Sequence, residues 1–230
     1  MKKKAFIFLI LLFTGAVMVA QEARYGPPDY KAIRKLTADK KSAGYYPLLM
    51  ERFNASDTTL TAADFTNLYY GFLFTEAYTP YPLSEYSDSC TALLTKDTLT
   101  QDEYRQLMKY ESLILKESPF DIRHLNVLAY CYFITGDTIS ANQNIFKLKG
   151  IIDVILSSGD GRTEESAFHV ISVSHEYDIL QVLGFEFGGQ QSLTTKDCDY
   201  LAVKENEYDI KGFYFNVQML LEKEKDLFKK

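Results

Sequence analysis

The sequence has few of the residues that build metal sites, because its 230 residues include three histidines and three cysteines. His169 and His175 lie six residues apart. On one strand that spacing would separate them by roughly 20 Å, at about 3.3 Å per residue, which is too far for two ligands of one ion. The His-Glu-x-x-His pattern of zinc helices is absent. The sequence therefore predicts no metal site, and it contains no phosphate-binding loop or other motif that indicates a cofactor.

The three cysteines are an odd number, so they cannot all pair within one chain. Cys131 lies inside the apolar run of residues 128–133, where a small buried residue is the expected role. Cys90 and Cys198 remain for a disulfide, and nothing in their spacing argues for one. The sequence leaves their pairing open.

Positive charge is also scarce, with 25 Lys and Arg residues against 31 Asp and Glu residues and a net charge of −6. An acidic protein repels phosphate backbones and anionic lipid headgroups. We therefore do not expect nucleic acid or a membrane surface as a partner.

The N-terminus has the pattern of a cleaved signal peptide over residues 1–20. Three lysines at positions 2–4 precede an apolar run of residues 5–20, and Ala20 supplies a small residue at the end of that run. The run is shorter than the roughly 20 residues that a spanning helix needs. These features predict an exported protein, periplasmic or extracellular after cleavage near Ala20, with no stable membrane anchor. Cleavage would remove three lysines and lower the net charge from −6 to −9.

The region that follows is predicted to be helical. Apolar residues recur at spacings of three and four between residues 46 and 157, so each helix has one face to bury. Thr61, Thr100 and Ser140 are each followed three residues later by Asp, Glu or Gln, which is the capping-box pattern of a helix start. Ser118, before Pro119, is a further expected helix cap.

The regular spacing of the three capping boxes predicts stacked helical hairpins. The expected pairs are residues 46–54 with 61–76, 83–95 with 100–117, and 119–135 with 140–157. The third hairpin resembles a tetratricopeptide repeat, because Leu128, Ala129, Tyr132, the Gly136-Asp137 turn and Ala141 stand at the spacing of that motif.

The pattern changes after the glycine-containing segment 157–161. Alternating apolar residues then appear near residues 169–173, 200–203 and 213–217, and Ser174 is the expected cap of a short helix. The sequence predicts an α+β fold with two domains. A helical-hairpin domain covers residues 21–158, and a small α+β domain with three or four antiparallel strands covers residues 159–230.

Several segments resemble a Bacteroidetes family of exported proteins that is defined as a domain of unknown function. These segments are residues 67–71, 157–161, 167–177, 183–184 and 214–217. The resemblance implies a location in the cell envelope, and it implies no activity or catalytic residues.

Two groups of residues are candidates for function. His175 beside Glu176 could form an acid–base pair where a strand meets a helix, or both could be ordinary residues of a first helical turn. Tyr70, Tyr78 and Tyr81 belong to a segment with more aromatic surface than one helix face can bury. They could line a groove for a peptide or a sugar, or they could pack between hairpins.

The sequence favours a non-catalytic interaction or scaffold protein of the cell envelope that binds another envelope protein or a peptide. Stacked hairpins form concave surfaces, and Arg123, His124 and Lys147 near the third hairpin could line the same groove as the tyrosine-rich segment. A hydrolase that uses His175 and Glu176 is one alternative. A glycan- or peptide-binding module that uses the tyrosine-rich segment is the other.

Overall fold

The computed structural model describes residues 26–227 and has an α+β fold, as the sequence predicts. The predicted signal peptide, residues 1–20, lies outside the described residues. Helices occupy most of residues 26–157, and a four-stranded sheet with two further helices follows in residues 158–227. The helices are α1 (Tyr30–Ala38), α2 (Tyr46–Asn54), α3 (Ala62–Gly71), α4 (Ser87–Leu94), α5 (Gln101–Glu117), α6 (Ile122–Ile134), α7 (Thr138–Ser157), α8 (Val173–Val182) and α9 (Gln218–Leu227). The strands are β1 (Phe168–His169), β2 (Phe187–Leu193), β3 (Cys198–Val203) and β4 (Gly212–Asn216).

Two of the three predicted capping boxes are confirmed. The hydroxyls of Thr61 and Thr100 accept the backbone N–H groups three residues on, and the carboxylates of Asp64 and Glu103 accept the N–H groups of the caps. The third prediction is wrong, because α7 begins at Thr138 and its cap is Asp137. The Asp137 carboxylate accepts the N–H of Ser140 and so starts the helix before Ser140 can act as its cap.

Two other predicted caps are also wrong, each displaced by two or three residues. Ser118 follows the last turn of α5, and α6 begins after Asp121, whose carboxylate accepts the His124 N–H. Ser172, in place of Ser174, caps α8. In both cases a neighbouring side chain offers an equivalent oxygen acceptor, so the residue type alone does not fix the start.

The three predicted hairpins form, with α2 against α3, α4 against α5 and α6 against α7. Their order in space differs from their order in sequence. Helix α5 packs on α6, and α7 packs on α3, so the third hairpin lies between the second and the first. A solenoid instead stacks each repeat on its neighbour in sequence.

A glycine allows α3 and α7 to approach closely. A Cβ atom at Gly150 would lie 2.2 Å from the ring of Phe65. The Phe65 ring is itself held edge-on by Phe53 and Phe146, at centroid distances of 6.2 and 5.5 Å. The contact between the first and third hairpins therefore requires glycine, which has no side chain, at residue 150.

The four strands form one mixed sheet in the order β1-β4-β3-β2. The β2–β3 and β3–β4 pairs are antiparallel as expected, whereas β1 pairs with β4 in parallel. The predicted strand near residues 169–173 is cut short because the chain enters α8 at Val173. Strand β2 has no alternating apolar pattern, since it contains Gly188 and Gly189 and a register shift between Phe187 and Gln191, and the sequence did not predict it.

The main hydrophobic core crosses residue 158, where the sequence predicts a domain boundary. Leu68 of α3 and Ile151 of α7 belong to the same buried cluster as Ile179 of α8 and Phe215 of β4. A second cluster holds Cys90, with Leu107, Ile114 and Cys131, between α4, α5 and α6. The two-domain division stays a prediction.

All three cysteines are free and buried in the structure. Cys90 lies in the helical cluster, whereas the Cys198 sulfur lies 3.8 Å from the Glu164 carbonyl beside the sheet. The described part of the chain contains no helix with the length and hydropathy needed to cross a bilayer.

Candidate functional site

A groove lies on the third hairpin, between the first and second hairpins. It has a volume of about 290 Å³, close to the lower end of the range of about 300–1,000 Å³ that is usual for ligand pockets. The groove follows from the order of the hairpins, because the first and second hairpins flank the third without stacking on each other. Its lining residues are Met50, Phe53, Asn54, Ser112, Leu115, Lys116, Pro119, Leu125, Leu128, Asn144 and Lys147.

The floor of the groove is mainly apolar and its edges are polar. Leu125 and Leu128 of α6 are both buried and form part of the floor. Asn54 lies at the end of α2 and Ser112 lies on α5, so each wall offers a polar group. An apolar floor with a few polar groups is typical of binding sites.

Lys147 places a partly buried cation in this groove. Its ammonium lies 5.1 Å from the centroid of the Phe53 ring, within the range of a cation–π contact. It donates a hydrogen bond of 3.3 Å to the Asn54 carbonyl. Burial lowers the pKa of Lys147 below its ordinary value, because a cation is less stable away from water.

Arg123 and His124, expected with Lys147 in a groove beside the tyrosine-rich segment, do not line this groove, and none of the candidate tyrosines lines it. Arg123 contacts the buried carboxylate of Asp178 at 3.3 Å, and His124 contacts the buried carboxylate of Glu111 at 2.5 Å. Burial alone would lower the pKa of His124, but its hydrogen bond with Glu111 and nearby negative charges raise it. These pairs connect α6 to α8 and to α5.

His175, one of the two candidate catalytic residues, is buried against α3. Its Nδ1 atom lies 2.7 Å from the Tyr69 hydroxyl, which also accepts the Ile171 N–H at 3.3 Å. Burial lowers the pKa of His175 to about 4, so the ring is neutral at pH 7. The cavity beside it, lined in part by Phe120, has a volume of about 30 Å³, which is enough for one or two waters.

Glu176, the other candidate catalytic residue, is buried on a different side of α8. Its Oε2 atom lies 3.4 Å from the side-chain amide nitrogen of Gln191, which also donates to Asp199 at 2.8 Å. Burial and the negative charge of Asp199 raise the pKa of Glu176 to about 9. The carboxyl group is therefore protonated at pH 7.

The structure does not bring His175 and Glu176 together, because their side chains have separate partners. Consecutive helical residues point in different directions, so one contacts Tyr69 and the other contacts Gln191. The cavity beside His175 is not lined by Glu176, and its volume of about 30 Å³ is too small for a substrate.

The candidate tyrosines lie at three different depths. Tyr70 is fully buried and its hydroxyl donates to the His169 carbonyl at 3.1 Å. Tyr78 is partly buried and its hydroxyl donates to the Ile171 carbonyl at 2.8 Å. Tyr81 is 52% exposed. A groove lined by all three is not present, because α3 is enclosed by α1, α2 and α7. A binding role for them stays a prediction.

Within residues 26–227, no group of three or more His, Cys, Asp or Glu side chains is arranged to hold a metal ion. A family model described as "Domain of unknown function (DUF4919)" matches residues 31–226. The chain belongs to this family. No curated protein and no solved structure matches the chain. The match to the DUF4919 family includes every helix that lines the groove and the whole sheet.

Proposed function

We propose that this member of the DUF4919 family is a non-catalytic binding protein of the cell envelope whose groove holds a segment of a partner protein. The observation that carries the proposal is the groove itself, with its apolar floor between two helical walls. Export is the part of the proposal that rests on the N-terminal sequence, where positively charged and apolar segments precede Ala20.

A hydrolase function has less support, because the two candidate catalytic side chains have separate partners. His175 is neutral and hydrogen-bonded to Tyr69, and Glu176 is a protonated acid next to Asp199. A general base must reach the proton that it removes. A glycan-binding role for the tyrosine-rich segment has Tyr81 as its support, since that ring is exposed.

Site-specific photo-cross-linking tests the proposal in the full chain. A photoreactive residue at Ser112 lies in the groove, whereas one at Asn142 lies on an exposed part of α7 outside it. In an envelope fraction, we expect one protein segment to cross-link at residue 112 and not at residue 142. A synthetic peptide of that segment should then bind the purified protein.

Two results would contradict the proposal. One is the same set of adducts at both positions, which would indicate non-specific contact. The other is a specific adduct whose synthetic peptide fails to bind the purified protein.

A further inference from the structure

The groove carries positive charge in a protein that is acidic as a whole. Its lining includes Lys116 and Lys147 and no Asp or Glu, whereas the chain has a net charge of −6. A cleft lined by one sign of charge concentrates the opposite charge. The groove therefore attracts anions even though most of the protein surface repels them.

The Lys147 ammonium has more N–H donors than its hydrogen bond to Asn54 uses. A lysine has three N–H donors, and Lys147 uses one of them on the Asn54 carbonyl. Within the described residues, none of the ion pairs includes Lys147 or Lys116. A partly buried cation without a counter-charge is costly unless a partner supplies one.

The surroundings of this cation suit a peptide segment. Met50 and Leu115, which are partly buried, offer apolar surface in the same groove, and Phe53 packs directly against the ammonium. Asn54 and Ser112 place polar groups at the edges, where a peptide backbone can form hydrogen bonds. The volume of about 290 Å³ suits a short segment.

We propose that the groove binds a partner segment in which an acidic side chain stands next to an apolar one, with the carboxylate held by Lys147 and Lys116. The apolar side chain packs against Met50 and Leu115, the partly buried apolar residues of the groove. This inference rests on the proposed function and adds the chemistry of the partner. Hydrogen bonds between charged groups are stronger than neutral ones, so the carboxylate supplies most of the selectivity.

Fluorescence polarisation with three sets of labelled hexapeptides tests the inference. The first set places one Asp among Leu, Phe and Val residues, the second has Asn in place of Asp, and the third has Lys. We expect the Asp set to bind at least about tenfold more tightly than the Asn and Lys sets. The preference should weaken as salt concentration rises, because salt screens the charges.

Variants of the two α7 lysines separate groove binding from general charge effects. Lys147→Gln should remove the preference for Asp peptides, and Lys147→Arg should retain it. Lys149→Gln is the matched control, because Lys149 lies on the same helix, is exposed and pairs with Asp153 outside the groove. Thermal unfolding of each variant checks that the fold is intact.

Each contrary outcome has a distinct meaning. Equal binding of the Asp and Asn sets would overturn the acidic-partner inference and leave the proposed function standing. Binding of no peptide set would overturn both. Displacement of the Asp peptides by dodecanoate, with tighter binding of that free acid, would show that a fatty acid and not a protein segment is the occupant.

Discussion

At the scale of single residues, burial decides which groups in α8 carry charge. His175 and Glu176 are adjacent, yet both are neutral at pH 7, one as a base with a pKa of about 4 and the other as an acid with a pKa of about 9. Loss of water disfavours the charged form of each group. The sequence predicted a polar first turn here, but it could not show that both side chains point into the protein.

The raised pKa of Glu176 predicts a specific effect of pH on stability. Its pKa is about 9 in the folded chain, against an ordinary value of 4.5 for a solvated glutamate. The contribution of this group to the free energy of unfolding is therefore largest below about pH 4.5. Its contribution is lost as pH rises towards 9, at up to about 1.4 kcal/mol per pH unit. Glu176→Gln removes this dependence, so we expect the variant to gain stability relative to the wild type by about 2 kcal/mol or more between pH 5 and pH 8.

Urea unfolding at several pH values measures this difference. Glu205→Gln removes a negative charge from an exposed position and serves as the control. A free-energy difference between Glu176→Gln and the wild type that is the same at pH 5 and pH 8 would contradict the assignment.

The Tyr69 hydroxyl predicts a second effect at this scale. It serves two buried partners, the His175 ring and the Ile171 N–H. Tyr69→Phe leaves both without that partner, and we expect a loss of about 1–3 kcal/mol in the free energy of unfolding. Tyr208→Phe, at an exposed position, should change it by less than about 0.5 kcal/mol. Equal stability of the two variants would show that the Tyr69 contacts are not formed.

At the scale of elements, periodicity predicted the helices better than their ends. The apolar spacing gave three hairpins that all form, because a one-sided helix needs a partner. Cap positions shifted where several oxygen acceptors lie close together, as at Asp137 and Ser140. Strand β2 escaped prediction because Gly188 and Gly189 interrupt the alternation on which strand prediction depends.

The contact between α3 and α7 gives the third prediction. In an exposed helix, Gly→Ala usually stabilises by about 1 kcal/mol. At Gly150 the added methyl group would meet the packed ring of Phe65, so we expect Gly150→Ala to lower the free energy of unfolding by about 1–3 kcal/mol. Denaturant unfolding measures the change.

Asn142→Ala is the control for this prediction, because Asn142 lies on the same helix at an exposed position. Its expected effect is within about 0.5 kcal/mol. A stabilising Gly150→Ala would mean that α3 and α7 are further apart than the structure shows.

At the scale of the whole molecule, the order of the hairpins creates the groove. The sequence predicted the hairpins but not which ones would touch, because an apolar stripe shows that a helix needs a partner without identifying it. It also proposed a surface role for Tyr70, which is instead buried because α3 has neighbours on several sides. Of Arg123, His124 and Lys147, which were expected beside the tyrosine-rich segment, Lys147 lines this groove and the other two do not.

The placement of Lys147 is the claim on which the account of function depends. An NMR titration of ¹³C-labelled lysine side chains measures it directly, with the Lys147 signal assigned from Lys147→Arg. In the free protein we expect the pKa of Lys147 to lie below the ordinary lysine value of 10.5, because the ammonium is partly buried. When a bound Asp peptide supplies a carboxylate, the pKa should rise. A pKa that stays the same while the peptide is bound would contradict the account.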